Sequence, residues 1–204
     1  MQTSPTHPTH TFDLVSTEIS TSAIADFILL LDDYDFLLLR YLNEYGIQLP
    51  FRHAWYPLGA WANALDALAE HSDDELLFEA GRQAAQSLRM LTPLQPQDVF
   101  QVINQQFRQQ HRAVWCNGTD YRFELPSAEL IGQLQIDTAA NHSMLVTDSS
   151  YMPTPFKLGQ LSALFELTTG QRDVIVQHIN HPDANNHQNQ FLVYWPAKVL
   201  QSKF

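Results

Sequence analysis

The sequence has one cysteine, Cys116, in 204 residues. A lone thiol closes no internal disulfide, which fits a reducing compartment, and the expected location is the cytoplasm. Positive charge is also scarce: 11 Lys and Arg stand against 22 Asp and Glu, a formal net charge of -11. Phosphate backbones would be repelled and no basic stripe offsets this, so no nucleic-acid partner is expected. There are only 7 glycines, and neither a phosphate loop nor a dinucleotide fingerprint occurs. A Gly-x-Ser-x-Gly elbow and a His-Glu-x-x-His pair are missing too. These absences lower the expectation of an enzyme without removing it. The most apolar stretch, residues 23 to 42, is interrupted by Asp26, Asp32, Asp33, Asp35 and Arg40. It cannot span a bilayer cheaply, so no membrane span is expected. The polar first ten residues have no basic n-region and no apolar h-region, and do not read as a secretory signal.

What the chain does have is core-forming material. Hydrophobic residues make up 45% of it, including 12 Phe, 7 Tyr and 4 Trp, a globular composition. Residues 1–11 read as a flexible tail and 12–204 as a single domain. A short strand or arm starts at Phe12. Thr21 or Ser22 would then cap a helix running to about Tyr45, apolar almost all round, and so deeply buried or shared with a second subunit. Pro57 suits the start of a helix over Leu58 to His71. Ser72 to Glu75 reads as a capping box for a third helix to about Leu88, and Gln97 to Arg112 forms a fourth. Then the period changes. Strands are expected at 113–116 and 121–125 around Asn117-Gly118, at Ile131 to Ile136, and at 144–147. A helix starting at Thr154 or Pro155 ends at Gly170, and two more strands hold Val174, Val176 and Phe191 to Trp195. The expected class is α+β, with N-terminal helices packed on an antiparallel sheet interrupted by one helix.

Three segments carry a resemblance. They are Tyr56-Pro-Leu through Phe78-Glu-Ala-Gly81-Arg82, Phe107-Arg-Gln-Gln-His-Arg112 leading into strands, and Pro153 to Leu167 with the closing Phe191-Leu-Val-Tyr-Trp195. In this order they resemble the ligand-binding domain shared by 4-vinyl reductase-like domains, haem-NO-binding sensors and TRAPP-type trafficking subunits, over roughly Tyr56 to Trp195. The resemblance implies small-molecule sensors and assembly modules, often dimeric, rather than catalysts. The chain departs from it in two places. It has no cysteines near the last hairpin, where many 4-vinyl reductase-like domains hold metal, and no Tyr-x-Ser-x-Arg motif, which haem-binding relatives use. Haem and cysteine-bound zinc are therefore not supported, and the cofactor is left unknown.

The candidate ligand-binding residues are Trp55, Tyr56, Trp61, Arg82, His111, Trp115 and Tyr121. The aromatics could line an apolar cavity or simply fill the core. Arg82 could anchor a ligand carboxylate or pair with a nearby acid. His111, beside Arg112, could bind an anion or titrate near neutrality, or complete a helix dipole. Cys116 could be a redox thiol or an inert buried one. No catalytic residue and no metal is assigned. If a metal were held, His178, His181 and His187 of the last hairpin would supply its ligands; the other reading of these is a polar turn. The favoured function is a non-catalytic, dimeric sensor or assembly module that binds an apolar or amphipathic molecule and contacts a protein partner. The alternatives are a metal-dependent enzyme using the His178–His187 hairpin and a ligand-free structural subunit.

Overall fold

The computed structural model describes residues 13–31, 35–88, 96–140, 142–179 and 189–195. The expected tail at 1–11 lies outside them, as does the hairpin tip with His181 and His187. Strand β1 (Asp13–Ser20) runs into α1 (Thr21–Leu30). Ser20 makes the join: its hydroxyl accepts from the Ala23 N–H at 3.3 Å, satisfying one orphan donor of the first turn. The cap thus falls one residue before Thr21 and two before Ser22, the two expected positions.

The long helix expected to reach Tyr45 is two helices, α1 and α2 (Asp35–Glu44). One straight helix can bury only one face, whereas two can each turn their apolar side to the same core. Ile24, Phe27, Leu31, Leu38 and Leu42 are all buried, while Leu29 stays 78% and Phe36 60% exposed. Most of the stripe that called for a second subunit is covered by this chain itself.

Strand β2 (Trp55–Pro57) leads into α3 (Leu58–His71). Asp73 then caps α4 (Asp74–Ser87), its carboxylate accepting from the Glu75 N–H at 3.1 Å. Helix α5 (Pro96–Gln109) is followed by β3 (His111–Asn117) and β4 (Asp120–Glu124). Gly118, at φ 63, makes the turn between these strands. A short α6 (Ala128–Ile131) takes Ile131, which the sequence reading put in a strand. The remaining elements are β5 (Leu134–Ala140), β6 (Ser143–Asp148), α7 (Thr154–Thr169), β7 (Ile175–Ile179) and β8 (Asn189–Tyr194).

The class is α+β, with every strand pair antiparallel. The strands form two sheets rather than one, ordered β2-β1-β3-β4 and β5-β6-β8-β7. The first sheet draws β1 and β2 from the front half of the chain. Such partners leave no local signal, because β1 meets β3 through pairs such as Glu18 and Arg112.

Helix α7 is the spine. Its residues from Phe156 to Phe165 are buried except Leu158, so it faces neighbours on all sides. Phe156 joins the core beneath α1 to α4, with Phe27, Trp61 and Leu77. Leu161, Leu164 and Phe165 join a second core with Val146, Phe191 and Val193 of β6 and β8. Against α4 the backbones touch. A Cβ on Gly159 would overlap the Phe78 carbonyl, and one on Gly81 the Phe156 carbonyl. Among the described residues, no helix is long and apolar enough to cross a membrane.

Candidate functional site

A cavity of about 460 Å³ lies between α1, α4, α5, α7 and the segment Ser150 to Met152. Phe27, Leu30, Trp61, Phe107, Met152 and Phe156 supply apolar wall. Such a volume and lining suit a small organic molecule. A wider hollow of about 1090 Å³ runs along α3 and residues 149–155, but it is more open to solvent and more polar.

Polar groups converge on one side of the cavity. Lys157, only 3% exposed, comes from the first turn of α7. Its Nζ donates to Gln160 Oε1 at 3.3 Å and lies 3.8 Å from Asp148 Oδ2. Asp148 is fully buried. Its Oδ1 accepts from the Ser150 N–H at 2.9 Å and its Oδ2 from the Ser150 hydroxyl at 3.1 Å. Burial pushes the Lys157 amine below its ordinary pKa, and the Asp148 carboxylate opposes that shift. Lysine and aspartate together make a pair of zero net charge.

Tyr151 links the cavity to β3. His111 Nδ1 is 2.6 Å from the Phe107 carbonyl, which can only accept, so this nitrogen carries the proton. In the neutral ring Nε2 is then an acceptor, and the Tyr151 hydroxyl donates to it at 2.8 Å. Burial lowers the His111 pKa, against the pull of the Phe107 carbonyl. Burial likewise drives the Tyr151 phenol well above its usual range, and the nearby Trp61 indole opposes this. The indole lies close to the phenol oxygen, and its Nε1–H is buried and completes no hydrogen bond of acceptable geometry.

The His111 shift sets a pH dependence. A histidine with a depressed folded pKa binds its proton more readily once unfolded. Its contribution is therefore undiminished above about pH 6.5, and stability falls as pH drops below that, by up to about 1.4 kcal/mol per unit. Thermal unfolding at about pH 7 and about pH 5 should show a smaller loss of Tm in His111→Gln than in the unmodified protein. Equal losses would remove His111 as the cause.

The residues expected from sequence fall into three places. Trp61 lines the cavity, and His111 stands one layer behind it through Tyr151. Tyr56 is in the core, its hydroxyl accepting from the Arg52 N–H at 3.1 Å. Trp55, Trp115 and Tyr121 belong to the first sheet. The Arg112 guanidinium lies 4.6 Å over the Trp55 ring and 4.5 Å over Phe123, and pairs with Glu18 at 2.6 Å. Tyr121 is 62% exposed. Arg82 pairs with Glu166 of α7 through both guanidinium nitrogens, at 3.2 and 2.8 Å, which is the acid-pairing alternative. Cys116 sits part-buried in β3, its thiol donating to the Gly118 carbonyl at 3.1 Å. His178 on β7 is 3.1 Å from Asn189 Oδ1. Among the described residues, no group of three His, Cys, Asp or Glu could hold a metal. Sequence reasoning missed Tyr151, Lys157, Asp148 and Gln160. The one available signal was Lys157, the only charged residue between Phe156 and Phe165.

Comparison with solved structures finds this fold in H-NOX domains, the haem-NO/oxygen-binding group. An Fe(II) unliganded H-NOX protein from K. algicida matches with a TM-score of 0.58 at 14% identity, over 89% of this chain and 98% of that one. An H-NOX protein studied for the function of haem distortion matches at 0.56 and 12% identity, over 91% and 100%. An oxygen-binding H-NOX domain related to soluble guanylate cyclases, in its oxygen complex, matches at 0.51 and 12%, over 91% and 100%. No family model matches the sequence, and neither does any curated protein. At these identities what is shared is the fold.

Proposed function

We propose that this chain is a cytoplasmic sensor or regulatory module whose cavity takes a small apolar or amphipathic molecule without transforming it. The observation that supports this most is the 460 Å³ cavity itself, apolar on most sides and crossed by a few fixed polar groups. A ligand-free structural subunit would gain nothing from leaving that volume unfilled.

The H-NOX structures named above raise haem as a candidate. The residues here do not fit it. No described residue lining the cavity is a histidine or a cysteine. His111 is the one buried histidine among those described, and both its nitrogens are engaged. The Tyr151 phenol is held neutral by burial, so it is no phenolate ligand, and Met152 would need a histidine opposite it. Lys157, already paired with Asp148, offers no net positive charge to a porphyrin's carboxylates.

The reading includes a homodimer, and with it a protein contact as output. Leu31 and Leu38 of the apolar stripe cannot carry that interface. Both are fully buried in the chain's own core, and an Asp there would unfold the protein instead. Leu29 and Phe36 are the most exposed large apolar residues described on α1 and α2, and we assign the interface to them. Leu29 also lines the cavity rim, so a ligand standing proud of the mouth would extend the same apolar patch. Native mass spectrometry of freshly purified protein should report a dimer and a retained organic ligand. Leu29→Asp/Phe36→Asp should be monomeric with its fold intact. Light scattering that finds the unmodified protein monomeric at micromolar concentration would overturn the dimer.

A further inference from the structure

Strand β4 ends the sheet β2-β1-β3-β4 and has a neighbour on one side only among the described residues. Its other side is a row of open backbone N–H and C=O groups. The hairpin decides which residues own that row. The two-residue loop Gly118-Thr119 sets Asn117 opposite Asp120, a pair that exchanges hydrogen bonds beside such a loop. Bonded pairs then alternate along the ladder, so Arg122 and Glu124 spend their backbone groups on β3, and Tyr121 and Phe123 turn theirs outward. The side chains of Tyr121 and Phe123 also share one face. They are 62% and 55% exposed, and Leu125 just beyond is 60% exposed. An open apolar edge is a template for another strand, and charges on it ordinarily deter one. Arg122 and Glu124 are such charges, but their order matches its own reverse. An antiparallel copy centred on Phe123 sets Phe123 against Phe123, Tyr121 against Leu125, and Arg122 against Glu124 in both directions. The outward groups are then in register for bonding. Centred on Arg122, the pairing would set Arg122 against itself and Asp120 against Glu124. Centred on Tyr121, it would set the turn residue Thr119 against Phe123.

We propose that the β4 edge docks β4 of a second copy of this chain, antiparallel and centred on Phe123, joining two four-stranded sheets into one continuous sheet. This contact is separate from the one assigned to Leu29 and Phe36 and goes beyond it. It engages one five-residue strand from each copy, less surface than a stable complex buries, and so forms at submillimolar rather than micromolar concentration. Sedimentation of the full-length protein should show its average mass rising between about 10 µM and about 1 mM, whether it starts as a dimer or a monomer. Arg122→Glu and Glu124→Arg should each suppress the rise, because each sets like charges opposite one another. Mixed one to one, the two variants regain both oppositely charged pairs and should associate at least about fivefold more tightly than either alone. In NMR spectra of the unmodified protein over the same range, amide shifts should cluster at Tyr121 and Phe123. No rise in mass, or shifts confined to other residues, overturns the proposal. So does a rise that survives both substitutions, or a mixture no tighter than its components. The NMR readout decides the matter should either variant fold poorly. The mass at the lowest concentration tests the Leu29 and Phe36 contact instead, so the two readings fail separately.

Discussion

Gly159→Ala should destabilise the protein by about 2 kcal/mol or more, against the usual trend for glycine in a helix. In an exposed helix the same change favours the fold by roughly 1 kcal/mol, since alanine loses less backbone freedom. Here the added methyl would overlap the Phe78 carbonyl, and a Cβ on Gly81 would do the same to the Phe156 carbonyl. The obstacle in both cases is helix backbone, which cannot swing aside like a side-chain tip. Overpacking of this kind costs about 1 to 3 kcal/mol or more, so it outweighs the propensity gain. Gly59 in α3 is the internal control: it is exposed, with nothing within 4 Å of its would-be Cβ. Urea unfolding should therefore give opposite signs, Gly59→Ala slightly stabilised and Gly159→Ala strongly destabilised. Gly159→Leu should yield no folded protein. If Gly159→Ala behaves like Gly59→Ala, α4 and α7 do not meet backbone to backbone.

Asp148→Asn should cost about 3 to 5 kcal/mol, because it leaves the Lys157 ammonium buried without its counter-charge. Removing both charges together, in Asp148→Asn/Lys157→Met, should recover most of that loss, since Lys157 is then no cation to strand. The pH profile gives a separate signature. Burial already holds the Lys157 pKa below its unfolded value, and losing Asp148 lowers it further. Between the folded pKa and about 10.4 the unfolded chain binds the proton better, so stability must rise with pH there. Denaturation of Asp148→Asn should therefore show a stability gain on alkalinisation larger than that of the unmodified protein, and Asp148→Asn/Lys157→Met should lack it. A single variant as stable as the double one would mean that the two charges do not interact.

Local chemistry made some elements legible from sequence and left others hidden. Helix α3 was expected at Leu58 to His71 and lies there, because Pro57 sets its start and one apolar stripe runs its length. Helix α7 was bounded in the same way, by Pro155 near its start and Gly170 at its end, where φ is 66. The Asn117-Gly118 turn marked the β3–β4 hairpin. The division between α1 and α2 carries no Pro or Gly, so the run read as one helix. The two-sheet arrangement depends on pairings distant in sequence, which no local window contains. In the site, Trp61 stood out as an aromatic, but Lys157 did not. A lone lysine on a helix ordinarily marks a solvated face, and only the fold brings Asp148 and Gln160 beneath it. Arg82 was read two ways, and its place opposite Glu166 on α7 shows the pairing between helices that a sequence cannot display.

Strand β1 lies inside its sheet, with β2 on one side and β3 on the other. Its contact with β3 joins residues 94 positions apart, Glu18 and Arg112. On the ribosome, β1 emerges long before that neighbour does. The nascent chain must carry one strand edge open, with Ile19 beside it, until His111 to Asn117 has been translated. Closing so long a loop is slow relative to helix formation, and an unpaired edge invites wrong partners. The core of the front helices is also incomplete at that stage, since Phe156 of α7 comes later still, and the interval before β3 appears is when the open edge is most exposed to mispairing.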